Sequence, residues 1–508
     1  VSANIKTVIF SGIQTIPVEV QCHLVNGTPN LTIVGLVDKA VTESKERIRA
    51  AIHSLGISLP PKRITINLAP ANLEKEGSHF DLPIAIAILV SMQLIKAKNV
   101  ENTLILGELS LDGRINSVNG ILPAAIYASA NNLSIICPHG NGSEAKMAGE
   151  NMKIIAPETL LQLINYLKGD SFSIAQPSDI VFVKQKEEHK HYDLSDIKGQ
   201  MAAKRAMIIA ASGGHNILFN GHPGTGKSML SSAMMTILPP LTAKEILDVS
   251  IIHSVAGMLK DNVASFTRPY RAPHHSASTA AIVGGGRNAK PGEITLAHNG
   301  VLFLDEIPEF QRFVLDALRQ PLENGIVTIS RAESHITYPC KFQLIAAMNP
   351  CKCGYFGDPS KQCRKVPHCA GDYQTKISGP IMDRIDIYIE VESIIPTFNS
   401  EKQPSISSHQ ALQIVEQARN IQNKRYNAED ISLNNELNGP LTEKYCIISP
   451  ESQTLIEDFI KKFGLSMRGY NKVLKVARTI ADMENAPNIE KHHVAEALSY
   501  RFSHAAAN

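Results

Sequence analysis

The run Gly221-His-Pro-Gly-Thr-Gly-Lys227-Ser228 constrains this chain more than any other feature, because it fits G-x-x-x-x-G-K-[ST] at every fixed position. Glycines at that spacing let successive backbone N–H groups curl around phosphate oxygens. The lysine reaches the β and γ phosphates, and the hydroxyl ligates Mg²⁺. Such a loop needs a strand before it and a helix after it. Asn216–Asn220 (NILFN) reads as the strand and Ser228–Leu238 as the helix.

A second segment completes the chemistry. Val301-Leu-Phe-Leu304 is a wholly apolar strand that ends in Asp305-Glu306. One carboxylate there holds the Mg²⁺ hydration shell and the next orients and deprotonates water. A third strand, Gln343–Ala347, runs into Met348-Asn349-Pro350. The Asn349 amide either hydrogen-bonds the attacking water or the γ-phosphate, or is only a turn residue before proline. The expected nucleotide-binding residues are Gly221, His222, Pro223, Gly224, Thr225, Gly226, Lys227, Ser228 and Asp305, with Glu306 and Asn349 catalytic and Ser228 and Asp305 on Mg²⁺. ATP is the expected substrate.

Composition narrows the rest. Lys and Arg number 50 against 48 Asp and Glu, leaving a formal charge of +2, so a nucleic-acid partner must be held by a local patch and not by a global field. The longest apolar run, Leu82–Ile95, is interrupted by Ser91 and Gln93 and is too short for a bilayer. It reads as a buried helix. The start VSANIKTVIF lacks the pattern of a secretory signal. Of eight cysteines, four crowd into Cys351–Cys369, which suits a reducing cytoplasm and one metal site better than a disulfide framework.

At 508 residues the chain has room for about three domains. Residues 1–168 alternate β-rich runs with amphipathic helices and read as an independent α/β domain. Candidate strands are Ile5–Phe10, Val18–Val25, Leu31–Val34, Arg63–Leu68, Thr103–Leu106 and Leu133–Cys137. Residues 169–195, with the charge cluster at Lys184–His191, read as a solvated linker. Residues 196–392 form the phosphate-loop block. Within 393–508, Phe398–Ser408 reads as a joint, followed by helices at Gln410–Asn423, Ser449–Phe463, Arg468–Met483 and Glu490–His504.

GHPGTGKS, VLFLDE and AAMNP, together with SGPIMDRIDI at Ser378–Ile387 and SMRGYNKVLKVARTIADME at Ser466–Glu484, resemble AAA+ ATPases of the magnesium-chelatase-like group. The likeness is to the ComM/YifB family and extends over essentially the whole chain. It implies an αβα core with a C-terminal helical lid, a homo-hexameric ring, and DNA translocation or unwinding that promotes branch migration during natural transformation. Arg384 matches the arginine finger, which acts across a subunit interface, and Arg468 the sensor arginine of the lid. No membrane partner is implied.

Between Asp261 and Glu293 there is no acidic residue, whereas Arg268, Arg271, Arg287 and Lys290 accompany His274, His275 and Gly284-Gly-Gly286. A locally basic loop of this kind can touch the phosphates of single-stranded or branched DNA without reading bases. Cys351, Cys353, Cys363 and Cys369, with His368 as a substitute, suit tetrahedral Zn²⁺, although their spacing is not a common finger form.

The first domain resembles the Lon-protease fold. Glu76–Pro83 lies where that family has its nucleophile loop, but His79 stands at the serine position and Leu122 at the lysine position, which argues against peptide cleavage. Three classes of function therefore compete: a DNA motor, a chelatase-like ATPase that remodels a protein partner for metal insertion, and an ATP-dependent protease.

Overall fold

A computed structural model of the chain describes residues 3–149, 151–169, 173–179, 181–183, 191–259, 263–286, 289–330, 335–356, 368–392 and 405–501. The first part is built on a seven-stranded sheet of β1 (Ala3–Ser11), β2 (Gln14–Val25), β3 (Asn30–Val34), β4 (Arg63–Ala69), β5 (Thr103–Ile105), β6 (Ser134–Ile136) and β7 (Ile154–Ile155). Its order is β3-β4-β2-β1-β5-β6-β7. β2 pairs antiparallel with both β1 and β4, and the β1-β5-β6-β7 half is parallel. Every strand expected in this region forms; the first four reach beyond their expected bounds, and the last two, Thr103–Ile105 and Ser134–Ile136, are shorter than expected.

The helix α1 (Lys39–Ser54) buries Val41, Ile48, Ala51 and Ile52 on one face, as its apolar spacing dictates. The all-apolar run becomes α2 (Asp81–Ser91), buried on every side. It stops short of the expected Ile95 because Gln93 takes a positive φ of 63°. Asp81 at its start is buried and satisfied by Arg47 Nε at 2.6 Å, by Leu109 N–H at 3.2 Å and by the Ser44 hydroxyl.

The second sheet holds five parallel strands: β8 (Ile217–Gly221), β9 (Tyr270–Arg271), β10 (Val301–Leu304), β11 (Gln343–Met348) and β12 (Ile387–Val391), ordered β9-β10-β11-β8-β12. β8, β10 and β11 are buried at every residue, which explains their continuous apolar sequences. Parallel strands send all their C-terminal ends to one edge. The segment expected as linker contributes a short strand, Val181–Val183, which pairs with Val263–Ser265.

Four C-terminal helices, α3 (Ser408–Arg425), α4 (Pro450–Phe463), α5 (Met467–Met483) and α6 (Lys491–Ser499), each begin at a capping residue. Ser449 accepts from Ser452 N–H with Pro450 at the first helical position. A short helix at Gly439–Tyr445 was not expected from the sequence, and α6 ends before the expected His504. Val473, Ala477, Ile480 and Ala481 of α5 share one hydrophobic core with Ile217, Phe219 and Ile345 of the sheet. The helical region is thus packed onto the sheet. The two halves of the chain touch where Glu144 accepts from Leu122 N–H at 3.0 Å and from the Ser254 hydroxyl at 2.5 Å. Among the described residues, no helix is long and apolar enough to cross a membrane.

Candidate nucleotide-binding site

Register decides what meets at the strand-end edge. Asn220 lies beside Met348, and Leu304 beside Ala346, so the residues that follow β8, β10 and β11 emerge together. The loop Gly221–Gly226 leads into a helix at Lys227–Ile237. Gly224 and Gly226 take φ of 80° and 90°, and no atom lies within 4 Å of where a side chain would begin. The loop is an open cradle at a helix N-terminus, which fits a phosphate chain.

Lys227 Nζ donates to the carbonyls of Gly221 at 2.7 Å and His222 at 2.9 Å, and to Asn349 Oδ1 at 3.2 Å. Burial lowers its pKa, while Asp305 and Glu306 oppose that shift. The Thr225 hydroxyl donates to His222 O at 2.9 Å and steadies the loop. The Ser228 hydroxyl donates to Asp305 Oδ2 at 3.1 Å, so both residues expected on Mg²⁺ are already neighbours. A hydroxyl beside a carboxylate is a donor set that suits Mg²⁺.

Glu306 adopts φ 50°, which is uncommon for a side-chain-bearing residue, and its N–H donates to Asp305 Oδ1 at 3.0 Å. Its carboxylate is half-exposed, and His275 Nδ1 stands 3.9 Å from Glu306 Oε2. The sequence singled out His275 only for basic character. Its approach to Glu306 depends on how the chain returns after β9, which no local pattern encodes.

The strand-start edge is different. Ile387 lies beside Ile217 and Val391 beside Gly221, so Arg384 sits at the far end of β12, at least about 13 Å along the strands from the phosphate loop. Its guanidinium donates to Arg319 O at 2.8 Å, Pro380 O at 2.7 Å and Glu323 Oε2 at 2.6 Å. Nearby, Asp386 pairs with Lys472 Nζ at 2.7 Å and accepts from Asn216 N–H at 2.9 Å. Burial alone would raise the Asp386 carboxyl, but Lys472, His215 and Asn216 hold it at about 2. Arg468 is exposed, one helical turn before Lys472 on α5.

Residues 193–397 match the family described as magnesium chelatase, subunit ChlI; residues 18–141 match subunit ChlI of Mg-chelatase; and 405–501 match the ChlI C-terminal family. The competence protein ComM of Haemophilus influenzae is 41% identical over 502 residues, spanning 96% of this chain and 95% of that protein. The chain belongs to the ComM/YifB family. The uncharacterized protein YifB of Escherichia coli is 40% identical over 491 residues, with 96% and 95% of the two chains covered. The 38 kDa magnesium-chelatase subunit of Cereibacter sphaeroides is 22% identical over 345 residues, 62% of this chain and 92% of that one. The ComM/YifB likeness therefore runs nearly end to end, whereas the chelatase likeness covers less of the chain.

Within this family member the basic loop is less free than its composition suggests. Arg268 donates to both oxygens of Glu245, at 2.8 and 3.1 Å, and to Asn299 O at 2.8 Å. Arg271 grips Glu293 at 2.5 and 2.8 Å. Both guanidiniums expected at DNA are thus engaged within the chain. Their carboxylate partners come from residues at or beyond the ends of the acid-free stretch, so counting charges inside it missed them. Lys290 is exposed, and Arg287 lies outside the described residues.

Cys351, Cys353 and Cys369 converge, with their Sγ atoms within 4.8 Å of one another. Cys363 lies outside the described residues, and His368 is exposed and not part of that group. In the N-terminal sheet, His79 is buried with Nε2 2.9 Å from Val8 O, and burial lowers it to about 4. The Ser78 hydroxyl bonds Glu108, and Leu122 is buried. None of these contacts makes a Ser-Lys pair.

Proposed function

We propose that this protein hydrolyses ATP and couples hydrolysis to movement along single-stranded or branched DNA, as a cytoplasmic homo-hexamer. The observation that carries the reading is the convergence of Lys227, Ser228, Asp305 and Asn349 at one sheet edge, beside an open glycine turn. In this reading the backbone N–H groups of Gly221–Ser228 bind the phosphates, and Lys227 exchanges its loop carbonyls for β and γ oxygens. Ser228 and Asp305 hold Mg²⁺, which when bound supplies charge neutralisation on the phosphates. Glu306 takes the proton of the attacking water, and Asn349 orients that water. Zn²⁺ is assigned to the cysteine cluster.

Arg384 lies away from its own phosphate loop, and this supports a ring in which it serves the neighbouring subunit's site, with Arg468 of the lid assigned to the same interface. An arginine supplied in this way is worth about 10³–10⁵ in rate, so an isolated protomer would be a poor ATPase. The name of the Haemophilus relative, a competence protein, supports a task on incoming DNA, and branch migration during transformation is the reading we adopt. The Lon-like first domain then serves as a non-proteolytic scaffold.

A second reading, remodelling of a protein partner during metal insertion, is favoured by one observation: Arg268 and Arg271 are neutralised within the chain. ATP hydrolysis with and without single-stranded and forked DNA, at low and moderate salt, separates the two. Strong DNA stimulation that Arg384→Ala abolishes is the expected result. A rate indifferent to DNA brings the protein-remodelling reading forward.

A further inference from the structure

The cysteine cluster is attached to the phosphate loop itself. Cys351 follows directly on Asn349-Pro350, and the turn it begins closes with Gly354 N–H on Cys351 O at 2.9 Å. The Gly354 carbonyl accepts from His222 Nδ1 at 2.6 Å. Gly354 has φ 82°, and a side chain there would meet the Pro223 ring at 2.5 Å. So the turn between Cys351 and Gly354 packs flat against two residues of the phosphate loop.

The donor set is that of a thiolate metal site. Cys351 is fully buried, and Cys353 Sγ lies 3.1 Å from it. Cys369 enters from the helix His368–Gln374, which Gln374 Nε2 fastens to Pro350 O at 3.1 Å. Thiolates on tetrahedral Zn²⁺ stand about 3.8 Å apart, given Zn–S bonds of ~2.3 Å. The three sulfurs, all within 4.8 Å, need only small adjustments to reach that spacing. The fourth position is left for solvent or a further donor.

We propose that Cys351, Cys353 and Cys369 bind a structural Zn²⁺ that clamps the Cys351–Gly354 turn against His222 and Pro223, so that nucleotide affinity depends on the metal. The coupling rests on the phosphate-loop reading above; the metal site does not. On binding, each thiol releases its proton to solvent and becomes a ligand. The bound ion ties the strand-end turn carrying Asn349 to the helix carrying Cys369, and the His222–Gly354 bond passes that rigidity to the loop.

The test uses the full chain purified under reducing conditions from zinc-supplemented medium. Metal content is measured by mass spectrometry, folding by thermal melting, and affinity with a fluorescent ATP analogue and Mg²⁺. Wild type should carry one zinc per chain. Cys369→Ser should lose it and bind the analogue about tenfold more weakly, on the scale of one lost hydrogen bond. His222→Ala should keep the zinc and weaken binding similarly, which preserves the test of coupling if the cysteine variant fails to fold. Zinc-free wild type overturns the metal site. Wild-type affinity in folded, zinc-free Cys369→Ser, or in His222→Ala, overturns the coupling. Lys227→Ala should retain zinc and lose the analogue; if it binds normally, the phosphate-loop reading fails while the metal result stands.

Discussion

At the strand-end edge of the five-stranded sheet, Lys227, Ser228, Asp305 and Asn349 bond mainly to one another and to loop carbonyls, and Gly224 and Gly226 face open space. At the strand-start edge, Asp386, Lys472, His215 and Gln343 are held between β8, β11, β12 and α5. His215 Nε2 lies 2.7 Å from the Thr479 hydroxyl, and Gln343 Nε2 donates to Ala210 O and His215 O at 3.0 and 2.7 Å. Both edges end the same parallel strands, so backbone geometry does not distinguish them. The difference lies in what covers each one. Helix α5 covers one edge and partners Asp386 and His215 from inside the fold, whereas the other leaves the glycine turn open beside its donors and carboxylates. Charge at the strand-start edge therefore serves cohesion, and in the proposed reading charge at the strand-end edge serves chemistry.

Substitutions that report on turnover and stability separately should divide along this line. The largest effect is expected for Glu306→Gln: steady-state hydrolysis should fall about 10²–10⁴-fold, with nucleotide affinity and melting temperature unchanged. A loss of melting temperature with turnover intact would make Glu306 a structural residue and erase the contrast. Asp386→Ala should do the reverse. It strands Lys472, whose side chain is 15% exposed, and should cost about 3–5 kcal/mol in a denaturant titration.

Smaller effects sharpen the same comparison within the basic loop. Arg268→Ala removes a partly buried, two-toothed bond to Glu245 and should lower stability by about 1.5–3 kcal/mol. Lys290→Ala should stay within about 0.5 kcal/mol of wild type while lowering the salt slope of DNA binding by about 1. If Arg268→Ala instead changed only the salt slope, its ion pair would be incidental and the guanidinium a DNA contact.

The smallest effect is expected in acid. The Asp386 carboxyl sits below its ordinary value near 3.8, so the stability it supplies is complete above that value and is lost as pH falls toward 2. The stability gap between wild type and Asp386→Asn should narrow across that window in urea titrations. A gap that widens toward low pH would mean that the buried pair does not favour the carboxylate.

Much of this was legible in sequence because it is local. β8, β10 and β11 follow from short apolar runs, α1 from its apolar spacing, and α4 from Ser449-Pro450. The phosphate loop is legible for the same reason: eight consecutive residues supply both its conformation and its chemistry. What escaped detection depended on pairing across distance. Glu245 and Glu293 neutralise arginines that look free in a charge count, and Val181–Val183 becomes a strand only because Val263–Ser265 lies beside it. The short helix at Gly439–Tyr445 had too few residues to display a period.

The sequence by itself therefore determined most of the elements, the glycine-rich run and the acids and amide that follow its partner strands, since each is written in residues close along the chain. Tertiary structure alone decided which of these share an edge. It brought Asn349 to Lys227, set Arg384 on the opposite side, and seated the Cys351–Gly354 turn on His222. The physical reason is that parallel pairing joins residues more than a hundred positions apart through a register fixed by the whole buried core, and no local pattern contains that register.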